Sequence, residues 1–410
     1  MFHINEIIII KFFLKQKNKS NKMGTCTCQI HLHGDPTEFV NSNDPPEVSV
    51  NIPKAINSKI SSNSPQDKLK NKFELNIENK LAEFGHFIEI EEFNKYIGSI
   101  ILKLIELKQF NCEQYISPPV SSTKQLNPFQ FNDTNDIYYG SWNEEGEMEG
   151  KGIFYSFNNK TIIEGFWSKG ENICGRIFFP NKEIYEGAIT NSKPNGKGEL
   201  LTEVRDRYIG KFKNGEFIFG EIIFSDDNTK YKGNIENRNF TGGGKMTWSN
   251  NIEYQGNFEN SMLNGKGKII KIIDIDKKEI YEGDFYQNEF NGKGKYYFFN
   301  GDIYEGDFEN GIKNGYGIYH INNGNKITYE GNWSDDYPNG NGVIIYGKNK
   351  LKGFWRNGEY ISSSGEENEI FKNFDKNIKP QKMTIFPTSL SHLNITSSNN
   401  ISQFIPENFT

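Results

Sequence analysis

The chain has 410 residues, with 53 acidic against 47 basic side chains, four cysteines and a hydrophobic fraction of 35%, in which aromatic rings (14% of all residues) weigh heavily. This balance lacks the basic footprint of a nucleic-acid binder, four scattered cysteines do not make a disulfide-rich secreted scaffold, and no run of 18 apolar residues offers a membrane-spanning helix. A core built from this composition rests on Phe and Tyr rings more than on aliphatic side chains.

Residues 1–65 are rich in Asn, Lys, Ser and Pro and read as a disordered amino-terminal segment. The apolar start lacks a basic n-region and a small-residue cleavage site, and Lys11 interrupts it, so it is a poor secretory signal. Met23-Gly24-Thr25-Cys26-Thr27-Cys28 resembles an acylation signal, with Cys28 standing where Ser or Thr is usual. If translation starts at Met23, Gly24 becomes a myristoylation site with Cys26 and Cys28 beside it for palmitate, and two chains anchor stably where one does not. Cys26, Cys28, His31 and His33 do not have the spacing of a zinc finger, and no metal or other cofactor is expected.

Residues 66–117 carry the chain's helical pattern: Phe93, Tyr96, Ile97, Ile100, Ile101, Leu104 and Leu107 recur at helical spacing, with charges between them. The stripe is expected to pack on the first open edge of whatever sheet follows, since an open edge needs covering. Pro118 and Pro119 end it, and 118–136 reads as a linker.

From residue 137 to 360 the chain repeats itself, and 35 of its 40 glycines lie between Tyr138 and Gly358. Tyr-x-Gly-x-aromatic recurs as Tyr138-Gly140-Trp142, Tyr208-Gly210-Phe212, Tyr254-Gly256-Phe258, Tyr281-Gly283-Phe285, Tyr304-Gly306-Phe308 and Tyr329-Gly331-Trp333. Variants with an Ile at the last position begin at Tyr185 and Tyr231, and Ile163 and Leu351 open two degenerate copies. A Gly-x-Gly pair such as Gly265-Lys266-Gly267 follows each of the first nine; Gly175-Arg176-Ile177 and Gly220-Glu221-Ile222 are read as keeping the first glycine with Ile at the second. Each unit reads as a β-hairpin, because Tyr, Gly and Phe at alternate positions share one strand face. Asn-Gly pairs such as Asn214-Gly215 supply the positive φ of tight turns. Glycine among rings implies that a Tyr or Phe lies flat where a side chain would otherwise stand. On the opposite face, Glu164 is expected to meet Arg176, and Lys211 to meet Glu221.

This pattern, at a period near 23, closely resembles the MORN (membrane occupation and recognition nexus) repeat. The resemblance implies an all-β array of about ten consecutive hairpins in one elongated, twisted antiparallel sheet, here preceded by a helical segment and flanked by disordered tails. It further implies a scaffold whose aromatic face (Tyr208, Phe212, Tyr254, Phe258, Tyr281, Phe285, Tyr304, Phe308, Tyr329 and Trp333) accepts protein partners at a membrane, cytoskeletal or ciliary structure, with a cytoplasmic location. A homodimer through the sheet edges is a further expectation. The alternative is an adaptor for phosphoinositides or other anionic lipids, using Lys266, Lys268, Lys293 and Lys295, although acidic neighbours dilute that patch. Such arrays also occur joined to lipid kinases and methyltransferases, but neither a nucleotide loop nor a nucleophile elbow is found in this sequence, so an enzyme is not expected. Residues 361–410 are Asn/Ser-rich without sustained periodicity and read as a disordered tail.

Overall fold

The computed structural model of the protein describes residues 74–99, 101, 102, 105, 123–322, 324 and 327–362. Gly24, Cys26, Cys28, most of the carboxyl-terminal tail, and Ile100, Leu104 and Leu107 of the helical stripe lie outside the described residues.

From β4 (Ile137–Trp142) to β23 (Glu359–Ser362) the chain forms one antiparallel sheet in which each strand pairs with the next, making ten hairpins. The expected architecture is therefore the observed one. Its register is fixed by glycine. Gly140 pairs with Gly152, Gly152 with Gly165, Gly165 with Gly175, and the series continues through Gly283 and Gly294 to Gly342 and Gly353. One glycine thus stands opposite the next in every strand from β4 to β22 (Asn349–Arg356). Turns use the left-handed residues expected of them, as at Asn214 (φ 52°) with Gly215 (φ 96°).

The first glycine of each Gly-x-Gly has a different task. In the hairpin of β14 (Ile252–Glu259) and β15 (Met262–Asp274), Gly256 pairs with Gly267 and Phe258 with Leu263. Asn264, Gly265 and Lys266 therefore bulge opposite Asn257, with Gly265 at φ 76°, where a side chain is strained. In the hairpin of β6 (Thr161–Ser168) and β7 (Glu171–Phe178), Phe166 pairs with Cys174 and Trp167 with Asn172, so only Ile173 is extruded. Gly175 pairs with Gly165 on one side and Gly187 on the other, and Gly220 with Gly210 and Gly233. These two are ladder glycines, so it is the second glycine that is kept, which corrects the sequence alignment. A shorter bulge needs no left-handed residue, and Ile173 and Ile218 occupy the first position.

The amino-terminal end departs from expectation. The helical region opens with two short helices, α1 (74–81) and α2 (Ile90–Ile97), separated by β1 (Gly85–Phe87), and helical residues resume after Gly98, where Ile101, Leu102 and Ile105 pack on the same cluster as α2. Gly98, at φ 77°, stops α2. Residues 118–136 are more than a linker, for they contain β2 (Lys124–Gln125) and β3 (Phe129–Phe131). Both pair with the outer edge of β4, and β1 pairs with β3, so short strands cover the first edge. The helices instead clamp the first hairpins from opposite sides. Ile77 and Leu81 of α1 join the core that holds Trp142 and Tyr138. Phe93 and Ile97 of α2 pack on Ile137, Ile162, Phe178 and Ile184, on the other face. Cys174, the one cysteine among the described residues, is fully buried and disulfide-bonded.

Candidate functional site

The two faces of the sheet do different work, and each carries a set of candidate residues. On the inner face seven of the eight repeat tyrosines lie along their own strands, the exception being Tyr208, where the Phe217 ring takes the place beside Gly210 and Gly220. The Tyr281 phenol donates to the Asp284 carbonyl at 2.8 Å, three residues on, so its ring must pass over Gly283. A Cβ on Gly283 would stand 2.6 Å from the Tyr281 hydroxyl and 2.5 Å from the Gly294 Cα. Tyr254, Tyr304 and Tyr329 repeat the bond at 2.8, 2.9 and 3.0 Å. The second aromatic stands edge-on to its own tyrosine and to that of the previous hairpin: Phe285 is 5.2 Å from Tyr281 and 5.1 Å from Tyr254. Where Phe240 or Phe290 is available it stacks on the tyrosine at 3.7 Å. The result is an edge-to-face chain of rings that runs unbroken from Tyr231 to Trp355.

This packing changes the role of the expected partner-binding face. Tyr208, Phe212, Tyr254, Phe258, Tyr281, Phe285, Tyr304, Phe308, Tyr329 and Trp333 are each at most 5% exposed. They are the core of the array, and burial pushes the phenols of Tyr208, Tyr254, Tyr281, Tyr304 and Tyr329 above their ordinary range. The sequence made the rings visible but not what covers them, because residues nine or ten positions on (Phe290 above Tyr281, Phe240 above Tyr231) close the layer.

The outer face carries the charges. The residue before one ladder glycine faces the residue after the ladder glycine of the next strand, so Lys268, Glu282, Lys295 and Glu305 form one row. Lys266, Asp284, Lys293 and Asp307 form a second row on the far side of the ladder, in which Lys266 pairs with Asp284 and Lys293 with Asp307. The first row, with Lys266 and Lys293 of the second, lines a shallow trough of about 900 Å³. All four lysines expected to meet lipid headgroups lie here, and each holds a carboxylate: Lys266–Asp284 at 2.7 Å, Lys268–Glu282 at 3.3 Å, Lys293–Asp307 at 2.6 Å and Lys295–Glu305 at 2.9 Å. The Lys295–Glu305 hydrogen bond raises the pKa of the lysine and lowers that of the carboxylate. Glu164 and Arg176 pair as expected, through the Arg176 Nε at 2.7 Å. Lys211 does not meet Glu221; it faces Phe219, while Glu221 faces Ile209 and Lys232. Lys211 and Glu221 both follow their ladder glycines, Gly210 and Gly220, and an antiparallel ladder places the residue after one glycine opposite the residue before the other.

Sequence reasoning missed a second set of groups, buried in the inner layer. Lys313 occupies the position that Phe290 fills one hairpin earlier, and is 2% exposed. Its Nζ lies 4.2 Å from the Trp333 ring centre, 5.2 Å from Tyr319 and 5.5 Å from Tyr304. Burial pulls its pKa down to about 7, opposed by Asp336. Glu183, Asp206, Glu279 and Asp302, each two residues before a repeat tyrosine, are also buried. Asp302 accepts the Tyr319 hydroxyl at 2.8 Å and the Asn322 amide at 2.7 Å. Glu183 is pushed up to about 7 by burial. A periodic acid two residues ahead of Tyr was the available signal. Among the described residues no group of three His, Cys, Asp or Glu side chains is arranged to hold a metal, and no helix is long and apolar enough to cross a membrane.

Comparison with known families finds the MORN repeat at residues 138–161, 254–271, 281–303, 304–326 and 329–349. The hairpins beginning at Ile163, Tyr185, Tyr208, Tyr231 and Leu351 share the geometry but fall outside those matches. No curated protein matches the chain.

Proposed function

We propose, from the premise that this chain is a MORN-repeat protein, that it is a non-catalytic scaffold which binds partner proteins. Repeats of this kind often serve protein or membrane binding. The observation that carries the reading is the outer face, a ruled surface of charged rows running across successive hairpins with the side chains fixed at strand spacing. Periodic, rigid and solvated surfaces of this sort suit extended macromolecular partners better than small ligands. The inner rings support it from beneath by holding the register, so the partner surface moves from the aromatic face to the charged one.

A phosphoinositide adaptor is the second reading. It draws on the same four lysines, but each already holds a carboxylate within 3.3 Å, so a headgroup has to displace an internal partner. Proximity labelling in the source cell with the wild-type chain and with Lys268→Glu/Lys295→Glu separates these possibilities. Loss of labelled proteins, at an unchanged melting temperature, is the expected outcome. Unchanged labelling sinks the charged-face reading, and lysine-dependent sedimentation of the chain with phosphoinositide vesicles transfers the face to lipid. A membrane, cytoskeletal or ciliary site, and pairing through sheet edges, belong to the same proposal, and the labelled set and the solution mass test them.

A further inference from the structure

The outer face bears two apolar patches, and among the described residues only one is covered. Both lie in the row made by the residues that immediately precede the repeat tyrosines and by their cross-strand partners. At the amino end this row comprises Ile137, Tyr155, Ile162, Phe178 and Ile184, and α2 packs on it. The row then alternates apolar and charged residues through Leu201, Arg207, Ile223 and Lys230, and is polar at Thr247 and Glu253. It becomes apolar again at Ile270, Ile280, Tyr297 and Ile303, which pair in sequence across β15, β16 (Lys277–Tyr286), β17 (Glu289–Tyr297) and β18 (Ile303–Glu309). All four are partly exposed, and the patch is extended by Ile272, 51% exposed, and Phe299, 54% exposed. A solvated strand face does not need five or six large apolar side chains together.

The chain itself supplies a matching segment. In residues 369–378, Ile370, Phe371, Phe374 and Ile378 fall within an arc of about 100° when wound as a helix, and Glu369, Lys372, Asp375 and Lys376 fall elsewhere. Asn368 stands at a capping position and Pro380 closes the stretch. So short a helix is marginal by itself and requires a surface. The distances agree. β23 runs antiparallel to β22 and last pairs Ser362 with Phe354, heading towards the level of the apolar row. β18 is the fifth strand back, roughly 24 Å away at ~4.8 Å per strand. The eight residues from Ser362 to Ile370 span up to about 27 Å. A helix from Ile370 to Ile378 is then about 12 Å long, enough to lie across β18, β17 and β16.

We infer that residues 369–378 dock as an amphipathic helix on Ile270, Ile280, Tyr297 and Ile303, so that a second helix lies on the same face and the same row as α2. The inference is independent of what the charged rows bind.

Hydrogen–deuterium exchange of the full chain tests it. In the wild type, peptides spanning 366–380 exchange at least tenfold slower than peptides spanning 390–410. Ile280→Glu/Ile303→Glu removes that protection while the array's melting temperature is retained. Phe371→Asp/Phe374→Asp, outside the sheet and unable to unfold it, removes the protection as well. Unprotected 366–380 amides in the wild type overturn the proposal, as does protection that survives the tail substitution. If those amides are unprotected and light scattering reports a dimer that Ile280→Glu/Ile303→Glu dissociates, the patch belongs to a second copy and the proposal again fails.

Discussion

At the scale of single residues, space and burial decide what each position tolerates. Gly283 has an ordinary backbone conformation but no room, because an added methyl meets the Gly294 backbone and the Tyr281 hydroxyl. Gly243, between two repeat glycines, has nothing within 4 Å and no positive φ. Gly283→Ala is therefore expected to destabilise the array by ~1–3 kcal/mol, while Gly243→Ala is neutral or slightly stabilising; urea unfolding of both variants checks the contrast. Lys313 makes a prediction about pH. Its folded pKa, about 7, lies below the unfolded value near 10.5, so the unfolded chain binds more protons between those values. Stability from this site is present above pH 10.5 and is lost as pH falls through about 7. Asp336 and the Tyr304 and Tyr319 hydroxyls are the other ionisable groups around it, and both phenols are shifted above their ordinary range. Lys313→Met, which keeps length and removes the amine, is expected to raise stability at pH 7 by on the order of a few kcal/mol. It should also flatten the rise in melting temperature between pH 7 and 10.

At the scale of elements, the helix on the outer face is the part that local sequence specified least. The spacing of Phe93, Tyr96 and Ile97 identified a helix and its apolar side, but not its seat. Gly85-His86-Phe87 became a strand because β3 offers it a partner, a long-range pairing that overrides local pattern. The edge that was expected to need a helix is covered by β2 and β3, which freed α2 for the face. Phe93 is the anchor of that contact, 1% exposed and 5.6 Å edge-on to Tyr139. Phe93→Ala is expected to cost about 3–5 kcal/mol and to uncover Ile162 and Phe178, read out as increased binding of a hydrophobic dye before the main unfolding transition. The hairpins themselves were far more legible. Alternation, Asn-Gly turns and glycine spacing each pointed to the same answer, and ten hairpins resulted. The two short hairpins were misaligned because glycine alone does not reveal which of two bulge sizes a turn adopts.

At the scale of the whole molecule, the repeats make each hairpin depend mainly on its neighbours. The fold could be read because one rule, a ring over a glycine, recurs along most of the array. The candidate site could not, since the same residues that announce the repeat are consumed by its interior. What faces outward, such as the Lys268–Glu282–Lys295–Glu305 row, is periodic only through strand pairing, and pairing is invisible until the register is known. The glycine ladder also limits how such a chain can change over time. Adding one residue within a strand exchanges the two faces beyond it and carries tyrosines among the charges. Length is free to drift only at the turns, as in the excursion Ile272–Lys278 that prolongs β15 and β16 beyond their neighbours. Gain or loss of whole hairpins leaves the phase intact, whereas a crossover inside one does not. The array is therefore built to lengthen or shorten in whole units, and the span between whatever is held at its two ends changes in steps of two strands.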